Sequence, residues 1–544
     1  MAPSTTRIDG TLAIRAAIFN HRTNQRDVDL LVDNTIRLGR RISCEMCEGD
    51  PGRGHLERGN TPVERCDVLS RFQRARCFEE EGRMLEARSE YIKLLEAEPS
   101  HLGALNNLGN LLFATGFRSA ARIAYSEAVK QHPNDAMSRV NLGNLLFECS
   151  ERSAARMHYE HALRIDPTLE KAHEGLSYVL ADLGDAERAA WHRRKAFENR
   201  FVIPMPYRGN GAGIPLLQLV STIGGNVRTQ RFLDNRIFRT FVVIPEFYDE
   251  RVPLPAHRIV FNAIGDADAA PEALAAAERW LRLTGAPVVN SPSAVRSTSR
   301  VINARRLAGV SGVVAPKTVT LPRSALEDRD ATTTLAQLGF SFPILIRTPG
   351  SHTGEHFVRV ERMEALRGAL SQLPGKELIL IQYLDAAGRD GKTRKCRVMT
   401  VGRELLPLHL AVGHDWKVHY FTADMADSPE HRDEDARFLA DMTGVLGPRA
   451  MNALRQIQAI QALDYGGIDF GLNQNGDVLF FEANATMVVV PPGADERWAY
   501  RRSPVERVFA AVQNMLIERA FAAPAPGGVP CELHNREMSQ EDSR

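Results

Sequence analysis

The sequence predicts a multidomain chain in which an N-terminal α-solenoid precedes an α/β (α+β) fold with its own open α/β subdomain. Three observations predict it. Columns of residues recur every 34 positions between about 68 and 201, and a Pro/Gly-rich connector, MPYRGNGAGIP, ends that pattern after Arg200. Beyond the connector, short apolar strands alternate with amphipathic helices and then give way to alternating strands joined by turns.

The repeat columns are Pro99, Pro133 and Pro167; Tyr91, Tyr125 and Tyr159; Ala87, Ala121, Ala155 and Ala189; and Gly82, Gly116 and Gly184, with Ser150 completing the last. Each period fits two antiparallel helices. The Gly/Ser column marks the turn between them, the alanines allow close approach, and proline closes the second helix. This resembles the tetratricopeptide repeat. Units are expected at 68–101, 102–135, 136–169 and 170–201, stacked into a superhelix behind a helical segment, 1–67. The resemblance implies a concave groove lined by first helices, where Asn106, Asn107, Asn110, Asn141 and Asn144 would hold a peptide or protein partner. The alternative use of such an array is dimerisation or spacing.

Length and charge narrow the classes. At 544 residues the chain needs several cores, and 68 Lys+Arg against 67 Asp+Glu give no electrostatic reason to expect a nucleic-acid or anionic-membrane partner. No run approaches the roughly 18 apolar residues of a spanning helix, so a cytoplasmic protein is expected. The seven cysteines are scattered and odd in number, which implies reduced thiols. Cys44 and Cys47 have zinc-ligand or redox spacing, with His55 and Cys66 downstream, but no second such pair completes a site.

In the second half, FRTFVVIPEF and HRIVFNAIGD read as buried strands, PEALAAAERWLRLTG as a helix, PVVNSP as a strand end and SAVRSTSRVINARRLAG as a helix. The strand FPILIR then enters the turn TPGSHTG, where small residues including Ser351 and Gly354 let backbone amides approach an anion, and Arg347 supplies a cation on the preceding strand. Further on, DYGGIDF and DVLFFEANAT are two strands joined by an Asn-Gly turn. Glu482 and Asn484 are two residues apart and share a sheet face, and Asp469 can stand across from them. Two carboxylates and an amide oxygen make a hard-oxygen cage suited to magnesium, which completes its shell with phosphates and water.

From about 236 to 500 these landmarks resemble the ATP-grasp superfamily, nearest in layout to the ribosomal-protein glutamate ligases and glutathione synthetase. The resemblance implies a linker at 202–235, an open α/β subdomain at 236–325 and a nucleotide-binding and catalytic domain at 326–500, then a helix and disordered tail at 501–544. It also implies ATP with Mg2+ (or Mn2+) as cofactors. Arg300 and Arg347 stand where that family carries lysines, so charge is kept and geometry is not. Gln382, Tyr383 and Leu384 resemble the hinge that grips adenine, and the Asp-strand with Glu-x-Asn maps onto Asp469, Glu482 and Asn484 as metal ligands. Lys395 stands where an acid for the ribose is expected; Asp385 or Asp390 can substitute, and the contact stays open.

The implied reaction joins a small-molecule or peptide carboxylate to an amine through an acyl phosphate, with positioning and charge neutralisation supplying most of the catalysis. Arg397 would meet the transferring group, Lys417 would act beside it, and His414 and His419 would contact substrate. Two other outcomes fit the same scaffold: a phosphotransferase, and a non-catalytic ATP-binding scaffold whose repeats are the working part.

Overall fold

A computed structural model describes residues 4–8, 11–15, 62–350, 356–420, 423–493 and 495–522, and the chain divides into two compact units, Met1–Ala186 and Glu187–Arg544. Among the described residues no helix is long and apolar enough to cross a membrane. The Cys44, Cys47 and His55 constellation, the Cys66 side chain and the tail 523–544 lie outside the described residues.

The helical character expected of 1–67 is corrected at its start, where β1 (Ser4–Ile8) and β2 (Thr11–Arg15) pair antiparallel with Ile8 opposite Thr11. The reason is local: both segments carry β-branched residues, and Asp9-Gly10 between them has the composition of a two-residue hairpin turn.

Helices follow from Pro62: α1 (Pro62–Glu80), α2 (Met84–Ala97), α3 (Leu102–Ala114), α4 (Arg118–Gln131), α5 (Ala136–Glu148), α6 (Arg152–Ile165) and α7 (Glu170–Asp182). The glycine column has a conformational cause. Gly82, Gly116 and Gly184 close their helices at φ of 77°, 89° and 83°, and Ser150 does so at 63°. In each turn the next amide reaches back five residues, from Arg83 to Phe78, Phe117 to Leu112, Glu151 to Leu146 and Asp185 to Leu180, which satisfies the orphan carbonyls of the helix end.

The tyrosine column packs against glycine. A Cβ on Gly109 would come within 2.4 Å of the Tyr125 ring, and Tyr159 is held between Gly143 and Gly175, where added Cβ atoms would lie 2.8 and 2.4 Å from it. The expected fourth repeat, 170–201, is divided: α8 (Ala186–Phe197) falls almost wholly in the second unit. Arg193 and Phe201 replace the tyrosine and proline of the period there, and Phe197 and Phe201 instead meet Phe247 and Tyr248, with ring centroids 6.0 and 5.4 Å apart.

The second unit opens with β3 (Val202–Pro204), β4 (Ile214–Leu219), β5 (Phe238–Val243), β6 (Ile259–Asn262) and β7 (Val288–Val289), in the order β3-β5-β4-β6-β7 and parallel except for β3. The segment 202–235, expected as a linker, therefore supplies two strands; Leu216, Leu217 and Leu219 of β4 are fully buried, which a solvated linker would not offer. Helix α9 (Pro271–Trp280) adds Ala273, Leu274, Ala277 and Trp280 to that core. The helix expected over 293–309 is broken into α10 (Pro292–Arg296) and α11 (Arg300–Leu307), which sets Arg300 in the first turn of α11.

After β8 (Val313–Val314), Pro316 interrupts the extended chain, and β9 (Thr318–Pro322) enters a different sheet. That sheet is antiparallel, order β11-β10-β12-β9, with β10 (Ile344–Arg347), β11 (Phe357–Val360) and β12 (Glu377–Gln382). The last sheet contains β13 (Thr393–Val401), β14 (Glu404–Gly413), β15 (Tyr465–Leu472) and β16 (Val478–Asn484) in the order β14-β13-β15-β16-β8. Helices α12 (Pro429–Ala440) and α13 (Met442–Gln461), the latter broken at Gly447-Pro448, bury Phe438 and Leu454 with Cys396, Val398 and Ile468. Met399, Val401 and Tyr465 pack instead with the first sheet and α14 (Arg502–Phe521).

Candidate functional site

Strand register builds the site. Arg397 on β13 stands opposite Asp469 on β15, Asp469 stands opposite Glu482 on β16, and His409 on β14 stands opposite Arg397. Directly opposed residues share a face, so these four side chains form one line across the sheet. Both flanking ladders slip register just beyond the line, at Arg397/Val398 and Asp469/Phe470, and such bulges re-aim side chains.

Asp469 is 1% exposed and saturated with cations. Arg397 grips it with Nε to Oδ1 at 2.5 Å and Nη2 to Oδ2 at 2.7 Å, while Lys395 Nζ reaches Oδ2 at 2.8 Å. Burial alone would raise the Asp469 pKa, but the attraction and hydrogen bonds of Arg397 and Lys395 outweigh it and hold the carboxyl well below its usual range. Glu482 accepts from Arg300 Nη2 at 3.0 Å, and Arg300 Nη1 donates to Asp268 Oδ2 at 2.9 Å. Arg347, buried at the end of β10, lies in the field of Arg300, Glu482, Asp268 and Asp266; burial, then repulsion from Arg300, pushes its pKa down to about 10. His409, also buried, is kept neutral by desolvation and by Arg397.

Backbone geometry is fixed by two buried asparagines. Asn303 on α11 donates Nδ2 to the carbonyl of Ala483, between Glu482 and Asn484, at 2.8 Å, and its Oδ1 accepts from Gln461 at 2.7 Å. Asn290, at φ 60°, closes β7 by accepting from the amides of Asp464 and Tyr465 at 3.0 and 2.9 Å and donating to the Tyr465 carbonyl at 2.8 Å.

A cleft opens beside this line, between the four-stranded antiparallel sheet and the mixed sheet that carries Asp469. Its lining combines apolar Pro316, Ile381 and Phe480 with Arg300 and the carboxylates of Asp266, Asp268 and Glu482.

The structure places Asp469, Glu482, Arg300, Arg347 and Arg397 in one cluster. The three residues expected as magnesium ligands meet protein groups in this structure. Both oxygens of Asp469 and one of Glu482 meet cationic nitrogens, and Asn484 Oδ1 accepts from the Thr486 amide and hydroxyl at 3.0 and 2.9 Å. Among the described residues there is no group of three or more His, Cys, Asp or Glu that could hold a metal; the expected set, two carboxylates and an amide, is of a different kind.

Ser351 and Gly354 lie outside the described residues. The Gln382 amide donates to the Lys317 carbonyl at 2.8 Å and its Oε1 accepts from the Lys317 amide at 3.1 Å, so this residue pins β12 to the start of β9. Tyr383 lies 4.1 Å beneath the Arg359 guanidinium carbon, and Leu384 is half-buried. For the open ribose contact, Asp390 is held by both Nη atoms of Arg394 at 3.0 and 2.9 Å, whereas Asp385 caps the turn amide of Ala387 at 3.0 Å.

The loop after β14 reaches toward the cleft only in part. His414 and Lys417 are exposed, while half-buried His419 has its pKa lowered by burial and by Lys395 and Arg397. Trp416 stands edge-on to Phe357 of β11 at 5.3 Å. In the repeats, the asparagines expected to face a peptide bond within the array. Tyr125 and Tyr159 donate to Asn110 and Asn144 at 2.7 Å, Asn107 donates to Tyr91 at 3.1 Å, and Asn141 donates to Asn106 at 2.9 Å.

Sequence reasoning missed Lys395, Asp266, Asp268 and His409 as members of the cluster. Lys395 was findable, since it precedes Arg397 by two on a strand and so shares its face. Asp266 and Asp268 follow β6, at the carboxyl end of a parallel strand where ligand groups collect. His409 carries no such signal, because only the β13–β14 register brings it into line.

No protein-family model matches the sequence, and no curated protein matches it. Among solved structures, the chain is similar to MamA (41-end) from Desulfovibrio magneticus RS-1, at 23% identity over 24% of this chain and 75% of that one, TM-score 0.23. It is similar also to the first TPR of Spaghetti (RPAP3) bound to HSP90 peptide SRMEEVD, at 20% identity over 22% and 93%, TM-score 0.21. A tetratricopeptide repeat protein from Parabacteroides merdae ATCC 43184 matches at 20% identity over 24% and 53%, TM-score 0.23. The helical repeats are read from the chain's own 34-residue geometry.

Proposed function

We propose that the second unit is an ATP-dependent carboxylate-amine ligase of the ATP-grasp type, acting through an acyl phosphate, and that the repeats hold a peptide or protein partner. The observation that carries this reading is the line of Arg397, Asp469 and Glu482 across one sheet, joined through Glu482 to Arg300 beside a cleft. The apolar residues beside the cleft would meet adenine, and the guanidinium groups of Arg300, Arg347 and Arg397 would offer forks for phosphate oxygens.

In this reading Arg300 and Arg347 steady the β and γ phosphates, and Arg397 and Lys395 meet the charge that develops on the transferring phosphoryl group. The substrate carboxylate oxygen attacks the γ phosphorus and ADP leaves. The amine then attacks the acyl carbon, phosphate leaves, and the amine proton is lost to a base. Burial and the neighbouring cations lower the His419 pKa and weaken it as a base, so it serves here as a neutral contact to substrate. Lys417 and His414 stand on the same loop, where they would contact the incoming substrates.

The test is the stoichiometry of ATP consumption by the full chain with pooled small acids and amines. ADP and phosphate should appear only when both substrate classes are present, and Asp469→Asn and Glu482→Gln should reduce turnover by a factor on the order of 100. Phosphate released without an amine, or wild-type turnover in both variants, would overturn the assignment.

A further inference from the structure

A second pocket lies among the loop that leaves β4, the chain that leaves β16, and parts of β15 and α14, and it shares no lining residue with the cleft. Its volume is about 210 Å³. Phe232, Tyr465, Phe509 and the valines at 488–490 make its body apolar, and the Phe232 and Tyr465 rings meet with centroids 5.3 Å apart. Its charged lining is Arg228 and Arg231, both exposed, and no carboxylate lines it, in contrast to the cleft with Asp266, Asp268 and Glu482. Among the described residues no carboxylate pairs with either arginine. The backbone beneath these cations is fixed. The Val227 amide donates to the Ala263 carbonyl at 2.7 Å, Thr229 Oγ1 accepts from Gln218 Nε2 at 3.0 Å, and the Phe232 amide donates to the Thr229 carbonyl at 3.1 Å. On the other side the Tyr465 hydroxyl donates to the Met487 carbonyl at 3.0 Å and holds the start of the valine run. Little ordering is therefore left for a ligand to supply.

Size and charge together define the occupant. A cavity of about 150 Å³ lined by apolar side chains holds one benzene molecule, so this slightly larger one takes a single ring or branched chain. Burying such a body is favourable in itself, and two guanidinium groups beside it select an anionic head, for which their planar forks match a carboxylate. We infer that this pocket is a binding site for a small apolar carboxylic acid, its ring or branched chain against Phe232, Tyr465 and Phe509 and its carboxylate on Arg228 and Arg231. Tyr465 precedes Asp469 by four residues on β15, about 13 Å of strand at roughly 3.3 Å per residue. The acid held here spends its carboxylate on the two arginines, so it is a separate occupant from any group that reacts at Asp469 and Arg397. Its binding needs neither nucleotide nor metal and does not rest on the ligase reading.

The experiment is calorimetric titration of the full chain with 3-phenylpropanoate, against 3-phenylpropanamide, 3-phenylpropylamine and acetate, in buffer without nucleotide or divalent metal. The acid should bind saturably in the low-millimolar range or tighter, the affinity expected of a ligand of this size. The amide, which keeps the ring and loses the charge, should bind at least about fivefold more weakly, and the amine and acetate should not saturate. Arg228→Gln combined with Arg231→Gln should weaken the acid by about tenfold and abolish its preference over the amide. Val488→Asp, which sets a carboxylate in the lining, should weaken the acid by at least as much. All three positions are exposed, so these variants should melt with the wild type. Equal affinity for acid and amide, saturable binding of the amine, wild-type affinity in the double-arginine variant, or no saturable binding of the acid would each overturn the inference. Acid bound by a chain that makes no amide would leave this inference standing and remove the ligase reading. An active ligase without affinity for the acid would do the reverse.

Discussion

Asp469 meets three nitrogens of two cationic side chains, and that contact governs how the second unit answers acid. Its folded pKa lies below the unfolded value of about 3.9, so its contribution to stability is complete above that pH and is lost as pH falls through the folded value. Urea midpoints taken between pH 7 and pH 3 should therefore drop more steeply for the wild type than for Asp469→Asn. At pH 7 the variant should be less stable by about 3–5 kcal/mol, because Arg397 is left buried without its partner. Equal pH slopes would contradict the pairing. Ser150 offers a residue-scale gain, since it sits at φ 63° in a column otherwise held by glycine. Ser150→Gly should raise stability by about 0.5–1 kcal/mol in a denaturant titration, the strain of a left-handed L-residue outweighing the entropy of glycine. Asp469, Glu482 and Arg347 were legible as candidates because acids and a cation end apolar runs, and Arg300 was legible through the family resemblance. The ion pairs among them were not, since pairing depends on register and on which cation is nearest.

Elements were legible in proportion to how local their causes are. The 34-residue period locates α1 to α7 because each turn within a repeat is closed by its own left-handed residue and Tyr125 and Tyr159 pack on glycines of the same or the next repeat. Strands β3 and β4 were read as connector because MPYRGNGAGIP is rich in turn formers, and what makes IPLLQL a central strand is the pairing of β4 with both β5 and β6. Similarly, the extended run VVAPKTVTL hides a crossing between two sheets at Pro316, which places that residue on the cleft wall. The strand end PVVNSP shows the gap between motif and role. Asn290 spends its amide on the start of β15, tying the parallel sheet to the sheet that carries Asp469. Asn290→Ala leaves two amides and a carbonyl without that partner and should cost on the order of 3 kcal/mol in a urea titration. An unchanged midpoint would mean that water replaces the side chain.

At the scale of the molecule, the boundary between units falls twelve or more residues before the end of the last sequence period, because Ala196 and Phe197 of α8 belong to a core with Ile244. A chain beginning at Glu187 should keep its melting temperature and ATP affinity in the second unit, whereas one beginning at Phe201 should melt lower, having lost the burial of Phe197, worth about 1.5–3 kcal/mol. If the repeats deliver a substrate-bearing partner, the chain beginning at Glu187 should also show a raised KM for that partner with kcat retained. The two-unit layout was legible from the end of the period, but the placement of α8 was not, since its alanine continues the repeat pattern while its aromatic residue packs elsewhere. The ligase reading itself is tested most directly by isotope transfer. With ATP and an amino-acid pool carrying 18O in the carboxyl groups, the full chain should release phosphate that contains one 18O per amide formed, because the carboxylate oxygen that attacks phosphorus leaves with it. ATP consumed with unlabelled phosphate, or no amide formed at all, would contradict the account.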